Sequence, residues 1–207
     1  MDRKYGLKVL TPPVSQPVTV ADAMAHMRIV GYDADDMYID YCIRAATEFI
    51  EQSTSHTLTP TQYLYTCDQF PFDITTRSVP YDYRRNAILL PRNPVITVDE
   101  FAYTDNDGDT QLITDYVMSN VQIPCRIVPA RGSVFPFADY YGLDSVRIKF
   151  TAGYVNDDYP YLARQAVLFM VSHLYENREP VSEKTANQIP FALKHLINKL
   201  KLSGFVS

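Results

Sequence analysis

Residues 146–174 read VRIKFTAGYVNDDYPYLARQAVLFMVSHL, and within this stretch the spacing of apolar side chains changes period. Val146, Ile148 and Phe150 alternate with Arg147 and Lys149, the two-residue repeat of a strand with one wet face. Beyond Gly153 and Tyr154 the apolar positions are Leu162, Ala166, Val167, Met170, Val171 and Leu174, the spacing of a helix that buries one stripe. Asp157 and Asp158 ahead of Pro160 mark its start, and Pro180 stops it after about Asn177. A strand thus hands over to a helix near Gly153, which places β texture before that point and helical texture after it.

Toward the N-terminus the same change runs in reverse. Ile39, Cys42, Ile43, Ala46, Phe49 and Ile50 recur at three- and four-residue steps, while Asp40, Arg44, Glu48 and Glu51 face elsewhere, predicting a helix from the acidic start at Asp35 and Asp36 to about Thr54. Ahead of it, Thr19 and Asp22 form a T-x-x-D capping arrangement for a short helix ending near Val30, with Gly31 as its brake. Between Thr57 and Tyr154, short apolar runs rich in β-branched and aromatic residues are separated by Pro, Asn, Asp and Gly. The expected strands are Tyr63 to Asp68, Ile88 to Leu90, Val95 to Tyr103, Cys125 to Val128 and Val146 to Thr151. Asp105 to Asp109 supply a hairpin turn. A last helix follows Pro190 and carries Phe191, Leu193, Leu196, Ile197 and Leu200, closed by Gly204.

The expected organisation is an extended arm (1–17, with Pro12, Pro13 and Pro17), a helical part (18–57), a β-rich insert (58–156), C-terminal helices (157–202) and a tail (203–207). The fold class is α+β, with the N- and C-terminal helices forming a small bundle around the insertion.

Composition narrows function. The 207 residues include 46% hydrophobic and 21% charged residues, enough for a real core, and no run approaches the length of a membrane span. The chain is expected to be soluble, unsecreted and made in a reducing cytoplasm, because Cys42, Cys67 and Cys125 lie far apart without metal-ligand spacing. A net charge of −5 argues against tight, sequence-independent binding of nucleic acid. Sixteen Tyr and ten Phe beside no Trp hint at association surfaces. The charge is unevenly placed: residues 18–57 hold seven acids and two bases, whereas residues 188–207 hold three bases and no acid.

Local signatures of catalysis are missing: no G-x-S-x-G, phosphate-binding loop, dinucleotide fingerprint or H-E-x-x-H occurs. His26, His56, His173 and His195 are scattered, and His173 and His195 lie on predicted helices, where a partly buried, hydrogen-bonded imidazole is the simpler reading. The acidic turn at Asp105 to Asp109 fails the spacing of a calcium loop. No cofactor, metal or catalytic residue is expected. A hydrolase would need a dispersed site, such as His173, Asp157 and a hydroxyl gathered in one cleft.

An ordered set of phrases carries a resemblance. These are Pro17-Val18-Thr19-Val20-Ala21-Asp22-Ala23, Asp35-Asp36 before Ala45-Ala46 and Phe49-Ile50-Glu51, Leu90-Pro91-Arg92-Asn93-Pro94-Val95, Tyr103-Thr104-Asp105 with Gly108, Phe150-Thr151-Ala152-Gly153-Tyr154, and Leu174-Tyr175-Glu176-Asn177-Arg178-Glu179. Together, from about residue 9 to residue 202, they resemble the head-tail connector (adaptor, or head-completion) proteins of tailed bacteriophages and gene transfer agents. The sequence departs from that pattern at Phe135-Pro136, where Trp-Pro is common, and in a longer loop from Phe70 to Ala87.

The resemblance implies a non-enzymatic virion protein of the neck, assembled in the host cytoplasm. It would form a ring of about twelve copies between the portal and a stopper, tail-completion or tail-terminator protein, with double-stranded DNA passing through and no membrane partner. The alternative is another neck or tail-completion protein. Ile39, Ile43, Phe49, Val167, Met170 and Leu174 would form each subunit's helical core. Portal docking would fall to the basic, apolar-striped C-terminal segment: Phe191, Lys194, Leu196, Ile197, Lys199, Leu200, Lys201, Leu202 and Phe205. Asp33, Asp35, Asp36 and Asp40 are candidates for an acidic channel lining, which would neutralise few phosphates and let DNA slide.

Overall fold

The computed structural model describes residues 5–29, 35–71, 87–121, 123–156, 158–178 and 191–201. The chain divides into two compact units, one of Met1–Pro12 and Pro60–Gly153, the other of Pro13–Thr59 and Tyr154–Phe205. The first is all β and the second helical, so the class is α+β with helices toward both ends of the chain and β structure between them.

The β unit holds β1 (Gly6–Thr11), β2 (Thr61–Cys67), β3 (Ile88–Leu89), β4 (Val95–Thr104), β5 (Thr110–Leu112), β6 (Tyr116–Ser119), β7 (Arg126–Pro129) and β8 (Val146–Ala152). A five-stranded sheet runs β1-β2-β8-β4-β5 and a three-stranded one β3-β7-β6, every pairing antiparallel. The alternation read in residues 146–151 is realised: Val146, Ile148 and Phe150 are fully buried while Arg147 and Lys149 are half-buried on the other face. On the inner face Phe150 stacks on Tyr63, with ring centroids 5.5 Å apart, and Ile88, Leu90 and Ile127 belong to the same core. On the other face burial pushes the Asp99 carboxyl up, but hydrogen bonds from Gln62, Thr97 and Thr151 together carry it below its ordinary value. Within the leader, Gly6–Thr11 is a strand paired with β2.

The expected hairpin lies between β4 and β5. Asp105 accepts the backbone N–H groups of Asp107 and Asp109 and the amide of Gln111, and Gly108 takes φ +86°, a backbone shape that Cβ-bearing residues rarely adopt.

The helical unit holds α1 (Val20–Met27), α2 (Asp36–Thr54), α3 (Tyr161–Glu176) and α4 (Phe191–Leu200). Thr19 and Asp22 form the complete capping box foreseen for α1, and Arg164 of α3 pairs with Asp22 at 2.9 Å. The helix ends sooner than expected: Arg28, in the left-handed region at φ 58°, caps it, and Gly31 lies outside the described residues. Helix α2 packs against α1, α3 and α4. The core is Ile39, Ile43, Ile50, Leu58, Val167, Val171 and Leu193 with their neighbours, while Phe49 and Leu174 flank it half-buried. The loop from Phe70 to Ala87 falls almost wholly outside the described residues.

Candidate functional site

Helix α4 carries most of the candidate docking residues, and the fold sorts them by face. Leu193 is fully buried, Leu200 is 6% exposed, and Leu196 and Ile197 pack against the same core. The apolar stripe of α4 is thus turned into its own unit, because a helix with a single apolar stripe buries it wherever a core is offered. Lys194, His195, Lys199 and Lys201 stay exposed, so what α4 offers outward is a basic face. Leu202, Phe205 and the side chain of Phe191 lie outside the described residues.

The C-terminal end of α4 is held by a residue that no sequence signal singled out. His56, 6% exposed just after α2, has its Nε2 3.2 Å from the Leu200 carbonyl and its Nδ1 3.0 Å from the Tyr154 hydroxyl. A carbonyl can only accept, so Nε2 carries the proton and Nδ1 accepts from Tyr154. Burial pushes the His56 pKa below its ordinary value, against the opposing pull of the Leu200 carbonyl, and so favours this neutral form. Burial likewise pushes the Tyr154 hydroxyl up, which keeps it a donor. Tyr154 lies in one of the phrases behind the family resemblance, but its histidine partner is 98 residues away.

The candidate channel acids sit at the start of α2. Asp35 accepts from the Tyr175 hydroxyl at 2.6 Å and from Arg178 at 2.9 Å. The Arg178 guanidinium lies 4.3 Å from the Tyr38 ring centroid and 4.6 Å from that of Tyr175, a cation in contact with two tilted rings. The hydrogen bond from Tyr175, followed by that from Arg178, holds the Asp35 carboxyl below the usual range. This network ties the start of α2 to the end of α3, so Asp35 works inside the unit. Asp36 has one buried carboxylate oxygen without a hydrogen-bond partner among the described residues, Asp40 pairs with Arg44 at 2.8 Å on the surface, and Asp33 lies outside the described residues.

Among the described residues the other histidines are dispersed. His173 is half-buried beside Asn177, whose amide donates to the His173 carbonyl at 2.7 Å; Asp157 lies outside the described residues. His195 is exposed rather than partly buried, and His26 packs edge-on to Phe169. Cys125 is fully buried and its thiol pushed up to about 11 by burial, the opposite of an activated nucleophile. A shallow cleft beside Thr19, Tyr159 and Arg164 holds the carboxylate of Asp22, already capping α1 and paired with Arg164. Among the described residues no three His, Cys, Asp or Glu side chains could hold a metal, and no helix is long and apolar enough to cross a membrane.

No protein-family profile and no curated protein matches the chain. Among solved structures, a chain from the neck of an empty gene transfer agent particle, computed with C6 symmetry, is similar at TM-score 0.76 and 23% identity, with 98% of each chain covered. A chain from the virion of a native gene transfer agent particle follows at TM-score 0.73 and 22% identity, over 97% of each. A chain from the neck of a native particle computed with C12 symmetry gives TM-score 0.63 and 21% identity, over 96% of this chain and 98% of that one. The fold that the sequence phrases pointed to is therefore one found, end to end, in chains of gene-transfer-agent particles.

Proposed function

We propose that the chain is a structural subunit of the neck of a tailed-phage or gene-transfer-agent particle, acting without catalysis as the head-tail connector. About twelve copies would form a ring on the portal, present a docking surface to the stopper or tail protein, and let double-stranded DNA pass through. The observation that carries this reading is the likeness of fold over 98% of both chains to a chain of a particle neck, joined to the ordered set of sequence phrases. The C6 and C12 symmetries of those particle necks support a ring.

The exposed Lys194, Lys199 and Lys201 suit an acidic groove on the portal, with Leu196, Ile197 and Leu200 holding α4 in shape behind them. Around the start of α2 in sequence, Asp33, Asp36 and Asp40 would line the channel and neutralise few phosphates, so few counterions would be released and passage would be easy, whereas Asp35 is taken up by Tyr175 and Arg178.

The test is the mass of the purified protein by light scattering on a sizing column, alone and mixed with its portal. A ring-sized complex that appears only with the portal supports the connector. A ring that ignores the portal and binds tail components makes the chain a tail-completion protein, and a monomer that ignores both overturns the neck reading.

A further inference from the structure

One end of the five-stranded sheet is fixed by three residues in register, Cys67 opposite Val146 and Tyr103 opposite Val146. From that end rise the 105–109 hairpin and the loop that joins β7 to β8. The loop is held from both sides. Phe135 stacks on Phe70 at 5.0 Å, Ala138 is buried, the Asp139 N–H donates to the Thr104 carbonyl at 2.9 Å, and the Asp144 N–H donates to Asp68 at 2.9 Å. At Gly142 a Cβ would lie 2.3 Å from Ser145 Oγ and 2.8 Å from the Asp139 carboxylate, so a larger residue there would push these side chains aside. A loop anchored so firmly nonetheless turns large apolar side chains outward: Val134, Tyr140, Tyr141 and Leu143 are 67%, 75%, 91% and 83% exposed.

Carboxylates surround these side chains. Asp68, Asp107, Asp109 and Asp144 are exposed at this end, with Asp105 and Asp139 half-buried beside them. The carboxylates of Asp68, Asp105 and Asp139 accept from backbone N–H groups and, at Asp105, from the Gln111 amide, and none of the ion pairs among the described residues involves any of the six. Among the described residues no ion pair offsets this charge, which lies beside the exposed apolar side chains of the loop.

We propose that this end of the β unit is a docking surface for a protein partner whose contact face is apolar at its centre and framed by lysine and arginine. The proposal rests on the neck reading above, since a connector has to hold a neighbour besides the portal. A pre-held loop loses little freedom on binding, and exposed tyrosines give wide contact at low rotamer cost. The aspartates choose among occupants. A duplex would set phosphates against carboxylates, and a two-fold contact between copies would set the carboxylates against their twins, whereas a basic frame complements them; a head-to-tail contact with a neighbouring copy is separated by the crosslinking below.

The experiment places a photo-crosslinking residue, Tyr141→benzoylphenylalanine, in assembled particles, with Lys199→benzoylphenylalanine on α4 as a control in parallel. Tyr141 is almost fully exposed, so the fold tolerates the change. The expected adduct joins position 141 to a different polypeptide, through a peptide with Lys or Arg beside apolar residues. A Tyr141→Ser, Leu143→Ser double variant should lower the yield of tailed particles about tenfold or more while the portal-bound ring keeps its mass, and Asp107→Lys with Asp144→Lys should act in the same direction. An adduct to a second copy of this chain, no adduct at 141 while position 199 reacts, or wild-type yield from the double serine variant overturns the proposal and leaves the connector standing. Absence of the unsubstituted chain from purified particles overturns both.

Discussion

Replacing His56 with phenylalanine tests the clasp on α4. The substitution keeps the ring that lies 6.0 Å from Tyr154 and removes both polar contacts. The Leu200 carbonyl sits in the last turn of α4, where no intrahelical donor can reach it, and its residue is 6% exposed. Leaving that acceptor unmatched costs about 1–3 kcal/mol, and the half-buried Tyr154 hydroxyl, able to turn to water, adds at most about 1 kcal/mol. The expected loss of about 2 kcal/mol is roughly 30-fold in the folding constant. With a denaturant slope of about 2 kcal/mol per molar, the urea midpoint followed by circular dichroism at pH 7.5 falls by about 1 M.

The pH dependence supplies a second reading. Burial depresses the folded-state pKa of His56 below its ordinary 6.5, so above that value both states are neutral and the clasp contributes in full. As pH falls below 6.5 the unfolded chain takes up a proton that the folded one resists, and stability declines until the depressed folded pKa is reached. His56→Phe lacks this titration, so the gap between the two proteins should narrow between pH 7.5 and pH 5.5. Equal midpoints at pH 7.5, or a gap that does not change with pH, would refute the clasp.

Thr19→Ala breaks the capping box and should cost about 1 kcal/mol, with the earliest loss of hydrogen-exchange protection in α1. The depressed Asp35 pKa means that its link to Tyr175 and Arg178 is complete above the ordinary carboxylate pKa and fails as pH falls through the lowered value. Near-UV dichroism of the tyrosines should report that loss at acid pH, and Asp35→Asn should abolish the transition. Arg178→Lys should loosen the same junction without changing the charge, since a compact ammonium lacks the planar fork that reaches Asp35 while lying against the Tyr38 and Tyr175 rings. Titration with a thiol reagent at pH 8 should modify half-buried Cys67 first, with the buried Cys42 and Cys125 reacting only on unfolding.

Features written in neighbouring residues were legible in the sequence. The capping box of Thr19 and Asp22, the alternation of β8 and the stripe of α2 each arise within a few positions, and each stands where the spacing placed it. Strands β1 and β6 were not legible. Residues 6–11 are exposed on both faces except for Leu7, so no alternation marks them, and β6 is four residues of mixed burial. Both exist because a neighbouring strand offers its edge. The contacts that organise the candidate site are less local still: Asp35 meets Arg178 across 143 positions and His56 meets Leu200 across 144. No motif spans such distances. The direction in which α4 turns its leucines was equally hidden, because the stripe in the sequence shows only that one face is apolar, and the core decides what covers it.

The pairing of β2 with β8 has a kinetic consequence for the helices. Thr61 lies opposite Ala152, so the points at which the chain leaves and re-enters the helical unit flank the two partners of a single rung. Without that pairing, α2 and α3 would be the ends of a long flexible loop, whose closure entropy is about 4 kcal/mol. Once the ladder forms, the helices meet as though joined by a short tether. The sheet should therefore form ahead of the bundle on the folding pathway, and a substitution that weakens the rungs near Thr61 should slow assembly of the helices.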